Sequence, residues 1–501
     1  MGDLALQGTR ADTGVILGAQ AKPEPLFLAL DQGGHSSRAL VFDPTGNLIA
    51  SAQTPVATHY IDDQRVEQDP AHVVASVRRA LAEVISTLGL AAAQLAAAGL
   101  ATQRSSIVCW SRGSDGAALT PILSWQDRRN APLITSLRAH AADIHQRTGL
   151  FLSPHYGASK IRWCLDHNAR VSAAAAQHTL AAGPLIGFLS QQLLEQHPLG
   201  VDPANAGRTL LWNLHTRTWD DQLAAWFGVP LSILPTVMPS YSEFGTLLTG
   251  ARRIPLRVLQ GDQPAALFAD GWPQLDHIYV NIGTGAFIQR PCDQLPPELP
   301  RHLRSLVLLG LGRDIYTAEA TVNGAAAAVD YLFTQHRRAP DTLLLARCLE
   351  NTPAPPLFLN GIGGLAAPWW LPEFASHFIG ENTDLEAQLA GVLESVLFLI
   401  TVNIEHLATL APRPTHIVLS GGWSHIDELA RRLAALTGLS VGCQTQAEAT
   451  ARGTAFLAAA APGTWLASGT RVVFAPHEIP SLRERYRQWR AAMRRYTALD
   501  Y

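Results

Sequence analysis

Lysine is almost missing from this chain. Of its 38 basic side chains only Lys22 and Lys160 are lysine, and the rest are arginine. A Walker A phosphate loop requires G-x-x-x-x-G-K-[ST], and neither lysine follows a glycine. A protein-kinase site requires a strand lysine in V-A-I-K, which is absent as well. Both machines are excluded. Cysteine is scarce too. Cys109, Cys164, Cys292, Cys348 and Cys443 are odd in number, scattered and without metal-ligand spacing, so free thiols in a reducing compartment are expected. A net charge of -3 gives no reason to expect nucleic acid as the main partner. No uninterrupted apolar run is long enough to cross a membrane, and the best helical stretch, near 389–402, carries Glu394. Residues 1–25 lack the basic start and apolar run of a secretory signal and read as a disordered N-terminal extension. The expectation is a cytoplasmic protein with neither nucleic acid nor membrane as partner.

What is present is an ordinary globular composition, 47% hydrophobic and 16% charged, on a chain of 501 residues. That length exceeds one compact core, so two large domains are expected. Three short strand-like runs, 26–30, 38–43 and 48–53, are joined by a glycine-rich turn and by Pro44-Thr45-Gly46-Asn47. A helical pattern over 70–88 follows, opened by Asp69, and then strands at 97–101 and around 106–110. This order predicts an α/β fold, a mixed sheet flanked by helices.

From 271 the pattern begins again. His277–Asn281 reads as a strand, Gly283-Thr284-Gly285 as a turn and Ala286–Ile288 as the returning strand. Further strands near 305–310 and 314–319 lead to a long alanine-rich helix from about 323. The repeat points to two related domains, 26–270 and 271–475, followed by an arginine-rich helix over 476–501.

Four turns could carry chemistry. Asp31-Gln32-Gly33-Gly34-His35-Ser36-Ser37-Arg38 places small residues, hydroxyls and an arginine at a hairpin tip, where backbone N–H groups can approach an anion. Gly283-Thr284-Gly285 is the corresponding tip in the second half. Ser420-Gly421-Gly422 joins a strand to a helix, a place for a nucleotide close to backbone. Gln260-Gly261-Asp262-Gln263 is a strand-to-helix turn with an exposed acid. Taken singly, each is more often an ordinary turn or a helix N-cap.

Their joint order, with ATQRSSIVCW, ILSWQDRRNAP, GLFLSPHYGASKIRWCLDH, DPANAGRTLLWNLHTRTWDD and QGDQPAALF between them, resembles the FGGY carbohydrate kinases, in their glycerol kinase branch, over about 26–495. The resemblance implies two actin-like (ribonuclease H-like) domains with the active site in the cleft between them. It implies transfer of phosphate from ATP, with Mg²⁺, to a hydroxyl of a small polyol or sugar. By position, Asp262 matches the general base and Asp31 the acid beside the metal. Gly33, Gly34, His35, Ser36, Arg38, Thr284, Gly324 and Gly422 match phosphate and nucleotide contacts. Arg104, Ser105, Trp125, His155, Gln263 and Phe287 match the substrate pocket, together with Asp262. The expected partners are ATP and the polyhydroxylated substrate, in a homodimer or homotetramer.

The chain departs from that family at four places. The glutamate that follows the substrate arginine is Ser105 here, which removes a charge-assisted hydrogen bond of about 1.5–3 kcal/mol. The pocket tyrosine is His155. The first hairpin reads Gly-Gly-His instead of Gly-Thr-Thr, and an asparagine on the adenine side falls on Ile426. A longer polyol or a ketopentose is therefore the alternative substrate. A catalytically weak nucleotide- and sugar-binding sensor on the same fold is the competing expectation.

Overall fold

A computed structural model gives the fold and describes residues 24–113, 116–250, 252–339, 341–380, 384–444 and 448–499. Most of the N-terminal extension, residues 1–23, lies outside them. The first main sheet contains β1 (Leu26–Gln32), β2 (Ser36–Phe42), β3 (Leu48–Pro55), β4 (Leu95–Thr102), β5 (Tyr241–Thr249) and β6 (Arg252–Gly261), in the order β5-β6-β4-β1-β2-β3. β1, LFLALDQ, is buried along its whole length. It is a central strand, antiparallel to β2 and parallel to β4. β6 also runs parallel to β4. Asp31, near the end of β1, and Arg104 and Asp262, just past β4 and β6, therefore lie at the same end of the sheet, where the parallel strands finish.

The helix α1 (Pro70–Leu88) begins where the sequence predicts it. Asp69 caps it by accepting from the Ala71 N–H at 2.8 Å, and Pro70 has no N–H to lose at the first position. Val73, Val77, Ala80, Leu81 and Val84 recur at helical spacing and bury one stripe against β2 and β3. The opposite sheet face is covered by α3 (Asp262–Ala266) and by α7 (Ala449–Ala458), a helix from late in the chain. Their crossing needs a glycine: a Cβ on Gly453 would lie 1.8 Å from the Ala265 carbonyl oxygen. Between β4 and β5 the chain builds α2 (Gly157–His167) and three strands of a smaller five-stranded sheet, whose other two strands, His59–Tyr60 and Val66–Gln68, precede α1. The strand expected around 106–110 is Ile107–Ser111, and it belongs to that smaller sheet.

The second main sheet contains β7 (His277–Ile282), β8 (Ala286–Cys292), β9 (Leu303–Gly310), β10 (Arg313–Val322), β11 (His416–Ser420), β12 (Ser440–Gln444) and β13 (Thr470–Phe474). Its order is β9-β10-β8-β7-β11-β12-β13. Its helices are α4 (Ala326–Gln335), α5 (Leu385–Leu407) and α6 (Asp427–Thr437), with α8 (Pro480–Thr497) packed outside. The alanine-rich helix expected from about 323 starts later and spans 10 residues. Asn323 is held in the preceding loop, its Nδ2 donating to the carbonyls of Gly363 at 2.9 Å and Gly364 at 3.1 Å. Among the described residues, α5 is the one helix long and apolar enough to cross a membrane, and 94% of its apolar window is buried inside the protein. Glu394 within it pairs with Arg432 and Arg485, each at 2.7 Å, so α5 is the core helix of the second half.

Candidate active site

The phosphate side is built at the end of β1. Asp31 faces Arg38 across the hairpin, and Arg38 donates from Nη2 to Asp31 Oδ2 at 2.5 Å. Its Nη1 donates to Glu448 Oε2, also at 2.5 Å, tying the hairpin to the start of α7. Asp31 is 3% exposed, and burial raises its pKa to about 6. The Arg38 charge opposes that rise and the Asp262 charge adds to it, so the two acids feel each other although they are distant in sequence.

The hairpin tip is exposed at His35 and half-buried at Gly33, Gly34 and Ser36. The Gly34 carbonyl is held inward by Gln68 Nε2 at 2.8 Å and Thr58 Oγ1 at 3.0 Å. In a trans peptide the following N–H, that of His35, points the opposite way. A Cβ added to Gly34, Gly283 or Gly422 would meet nothing within 4 Å, and on Gly33 it would meet only the Ser36 carbonyl at 3.6 Å. Packing thus leaves open space at these four positions. Gly324 is different, because a Cβ there would lie 2.7 Å from the Ile362 carbonyl. Thr284 is exposed, while its carbonyl accepts from the Ala325 and Ala327 N–H groups at 3.0 and 3.1 Å and fixes the start of α4. Ile426 is buried in the core of the second half.

The acceptor side is built where β4 and β6 end. Asp262 opens α3, and its Oδ1 accepts from the Gln263 N–H at 2.8 Å. Burial raises its pKa, and the Arg104 charge is the largest opposing effect. Arg104 is 7% exposed and lies over Gly261, where a Cβ would come within 2.5 Å of Arg104 Cδ. Its Nη2 donates to Gln263 Oε1 at 2.7 Å. Burial lowers the Arg104 pKa to about 10.

Ser105 adopts a left-handed φ of 65°, and its carbonyl accepts from Lys160 Nζ at 3.1 Å. The same ammonium donates to the Ser124 carbonyl at 2.6 Å. Lys160, on α2, is fully buried, and burial lowers its pKa to about 7. It therefore ties the Arg104-Ser105 turn to the turn that carries Trp125. Trp125 is 42% exposed, and its backbone N–H donates to Ser106 Oγ at 2.9 Å. His155 donates its Nδ1–H to the Trp125 carbonyl at 3.2 Å, since a carbonyl can only accept. Desolvation and then the Lys160 charge push the His155 pKa below its ordinary value. At neutral pH the ring is neutral and its Nε2 is left as an acceptor. Beside it opens a cavity of about 480 Å³ lined by Tyr60, Asp62, Asp63, Trp125, Arg128 and His155, among others. Phe287 is half-buried on β8, opposite Thr321 of β10.

The structure adds residues that the sequence reading does not single out. Glu319 on β10 is 4% exposed. It accepts from Arg208 Nη2, and from Thr317 Oγ1 at 2.7 Å, while Arg104 Nη2 lies 3.9 Å from its Oε2. The Tyr156 hydroxyl bonds to the same Arg208 guanidinium. Lys160, alone among arginines in the body of the chain, had a visible signal, and Tyr156 adjoins His155. Glu319, Arg208 and Glu448 had none. Among the described residues no group of three or more side chains is arranged to hold a metal ion.

Residues 26–269 match the N-terminal domain of the FGGY family of carbohydrate kinases, and residues 278–461 match its C-terminal domain. The chain belongs to that family. The glycerol kinase of Rhodospirillum rubrum is 32% identical over 490 residues, covering 94% of this chain and 99% of that protein. Glycerol kinase 1 of Pseudomonas aeruginosa is 31% identical over 490 residues, 94% of this chain and 98% of that one. The crystal structure of Plasmodium falciparum glycerol kinase with ADP shares the fold at a TM-score of 0.84 and 20% identity, over 94% of this chain and 98% of that chain. The xylulose kinase of R. rubrum does so at 0.82 and 19%, over 95% and 100%. This FGGY kinase is a phosphotransferase with an alcohol group as acceptor and ATP as co-substrate, glycerol kinase-like over most of its length.

Proposed function

We propose that this kinase phosphorylates a hydroxyl of a small polyol, with Asp262 as the base. The observation that carries the proposal is the placement of Asp262 at the end of β6, beside the Arg104–Gln263 pair and within the field of Asp31. Burial keeps Asp262 more basic than an ordinary aspartate, which suits it to take the proton from the attacking hydroxyl. Arg104 and Gln263 orient the acceptor's oxygens, and Trp125 and Phe287 cover its carbon skeleton. The open tips at Gly33-Gly34 and Gly283 and the turn at Gly422 receive the phosphates and the nucleotide. Asp31 is the residue that would hold Mg²⁺, which supplies charge neutralisation of the phosphates when bound. The two domains of this reading are 26–270 and 271–475.

Glycerol is the first substrate to test, as the relatives' names indicate. The cavity beside Trp125 and His155 favours a second reading, a longer polyol or a ketopentose whose extra hydroxyls reach His155 Nε2 and the carboxylates of Asp62 and Asp63. An ADP-release assay across glycerol, tetritols, pentitols and ketopentoses with Mg²⁺ separates the two. Tight ATP binding with no turnover on the whole panel would favour the sensor.

A further inference from the structure

We propose that Glu319 is a positioning residue of the acceptor site. It reaches from the second sheet to hold Arg208 and Arg104 of the first half, so that the acceptor pocket is complete only when the two halves are together. The inference rests on the reading of Arg104 and Asp262 given above.

The contributors come from separate elements. Glu319 lies on β10, where it sits opposite Gln289 of β8, two positions from the Phe287–Thr321 pair, so Phe287 and Glu319 share one sheet face. Arg104 follows β4 of the first sheet. Arg208 lies in the turn Gly207–Thr209, just after the short helix Pro203–Ala206 that packs on β9. All three side chains are buried, and a carboxylate that far from water is tolerated only with strong partners. Glu319 has them on both sides. Thr317 and Ser305 of its own sheet bond it from one direction, and the guanidinium groups of Arg208 and Arg104 face it from the other.

The cluster is not closed on itself. Arg104 Nη1 and Arg208 Nε are buried and have no acceptor among the described residues. Two guanidinium groups share one glutamate, and unused donors remain beside Gln263 and Asp262. That is the arrangement expected of a site waiting for substrate oxygens. Ser105 sharpens the point. With no carboxylate next to Arg104 in sequence, Glu319 is the carboxylate within 4 Å of Arg104 among the described residues. A carboxylate of the other half thus faces the same Arg104 Nη2 that donates to Gln263.

Steady-state kinetics on the polyol that wild type turns over fastest, glycerol included, test this with Glu319→Gln, Glu319→Asp and Arg208→Lys. Losing the charge-assisted contacts predicts an acceptor KM about tenfold or more higher for Glu319→Gln, with the KM for ATP within about twofold of wild type. Glu319→Asp recovers part of the acceptor KM. Arg208→Lys keeps the charge, loses the planar fork and raises the acceptor KM by an intermediate factor. A second readout is binding linkage by calorimetry: ADP tightens acceptor binding to wild type, and that factor falls toward one in Glu319→Gln. If Glu319→Gln does not fold, Arg208→Lys and the linkage factor decide. Equal increases in both KM values, an unchanged acceptor KM or an unchanged linkage factor would overturn the inference. A wild type that turns over nothing on the panel would overturn the functional reading as well.

Discussion

The two halves of the molecule open on the same hairpin and use its tip differently. In the first, Gly33 and Gly34 are uncrowded, the Gly34 carbonyl is held inward by Gln68 and Thr58, and the adjoining acid is Asp31. In the second, Gly283 is open, yet a Cβ on Gly285 would lie 2.6 Å from the Val322 carbonyl, and the carbonyls of Gly283 and Thr284 fix the first amides of α4. One tip is kept clear, and the other is largely built into the scaffold. Glycine in a phosphate-loop pattern thus has two physical causes, which a motif cannot separate and a Cβ test can.

Substitutions can break this contrast. The largest effect is expected for Asp31→Asn, which keeps the size of the side chain and removes the charge. Turnover should fall by about 10²–10⁴-fold with little change in melting temperature, because only the site is altered. If melting temperature falls as far as activity does, Asp31 is a scaffold residue. Gly285→Ala comes next and should act on stability, by about 1–3 kcal/mol, since the new methyl meets backbone that cannot yield easily. Thermal melts of the unliganded protein measure it, and a neutral result would remove the contrast between the tips. Gly34→Ala should show the reverse pattern, an unchanged melt with the KM for ATP raised about three- to tenfold, because its Cβ fills space that a phosphate would use.

A smaller effect sharpens the acceptor side. Burial raises Asp262 and the Arg104 charge opposes that rise. The base works deprotonated, so activity is lost as pH falls through the raised pKa, and the acid limb of kcat/KM lies above the ordinary aspartate value. Arg104→Gln removes the opposing cation and should move that limb to higher pH. A pH–rate profile of both proteins checks the sign, and a shift to lower pH would refute the assignment.

Much of the fold was legible because its signals are local. Asp69 and Pro70 announce α1 at its observed start, and short apolar runs bounded by turns give β1 to β3 and β7 to β8 within a few residues. Sheet membership was not legible, because the periodicity of Ile107–Ser111 is the same in either sheet. The late start of α4 depends on loop contacts of Asn323 that arrive from residues 363 and 364. At the site, Arg104, Gln263 and Asp262 were identified by resemblance to a family, and the structure adds their mutual distances. Glu319 and Arg208 were invisible, because an acid on a strand and an arginine in a turn mean nothing until the halves are packed together.

The most direct test of the central claim is ADP release by wild type and Asp262→Asn on the same polyol panel with Mg²⁺, alongside ADP binding by calorimetry. The account predicts turnover of at least one small polyol or ketose by wild type. In Asp262→Asn it predicts a loss of about 10²–10⁴-fold with ADP affinity unchanged. Turnover retained by Asp262→Asn, or absent in wild type on every acceptor despite firm nucleotide binding, would contradict it.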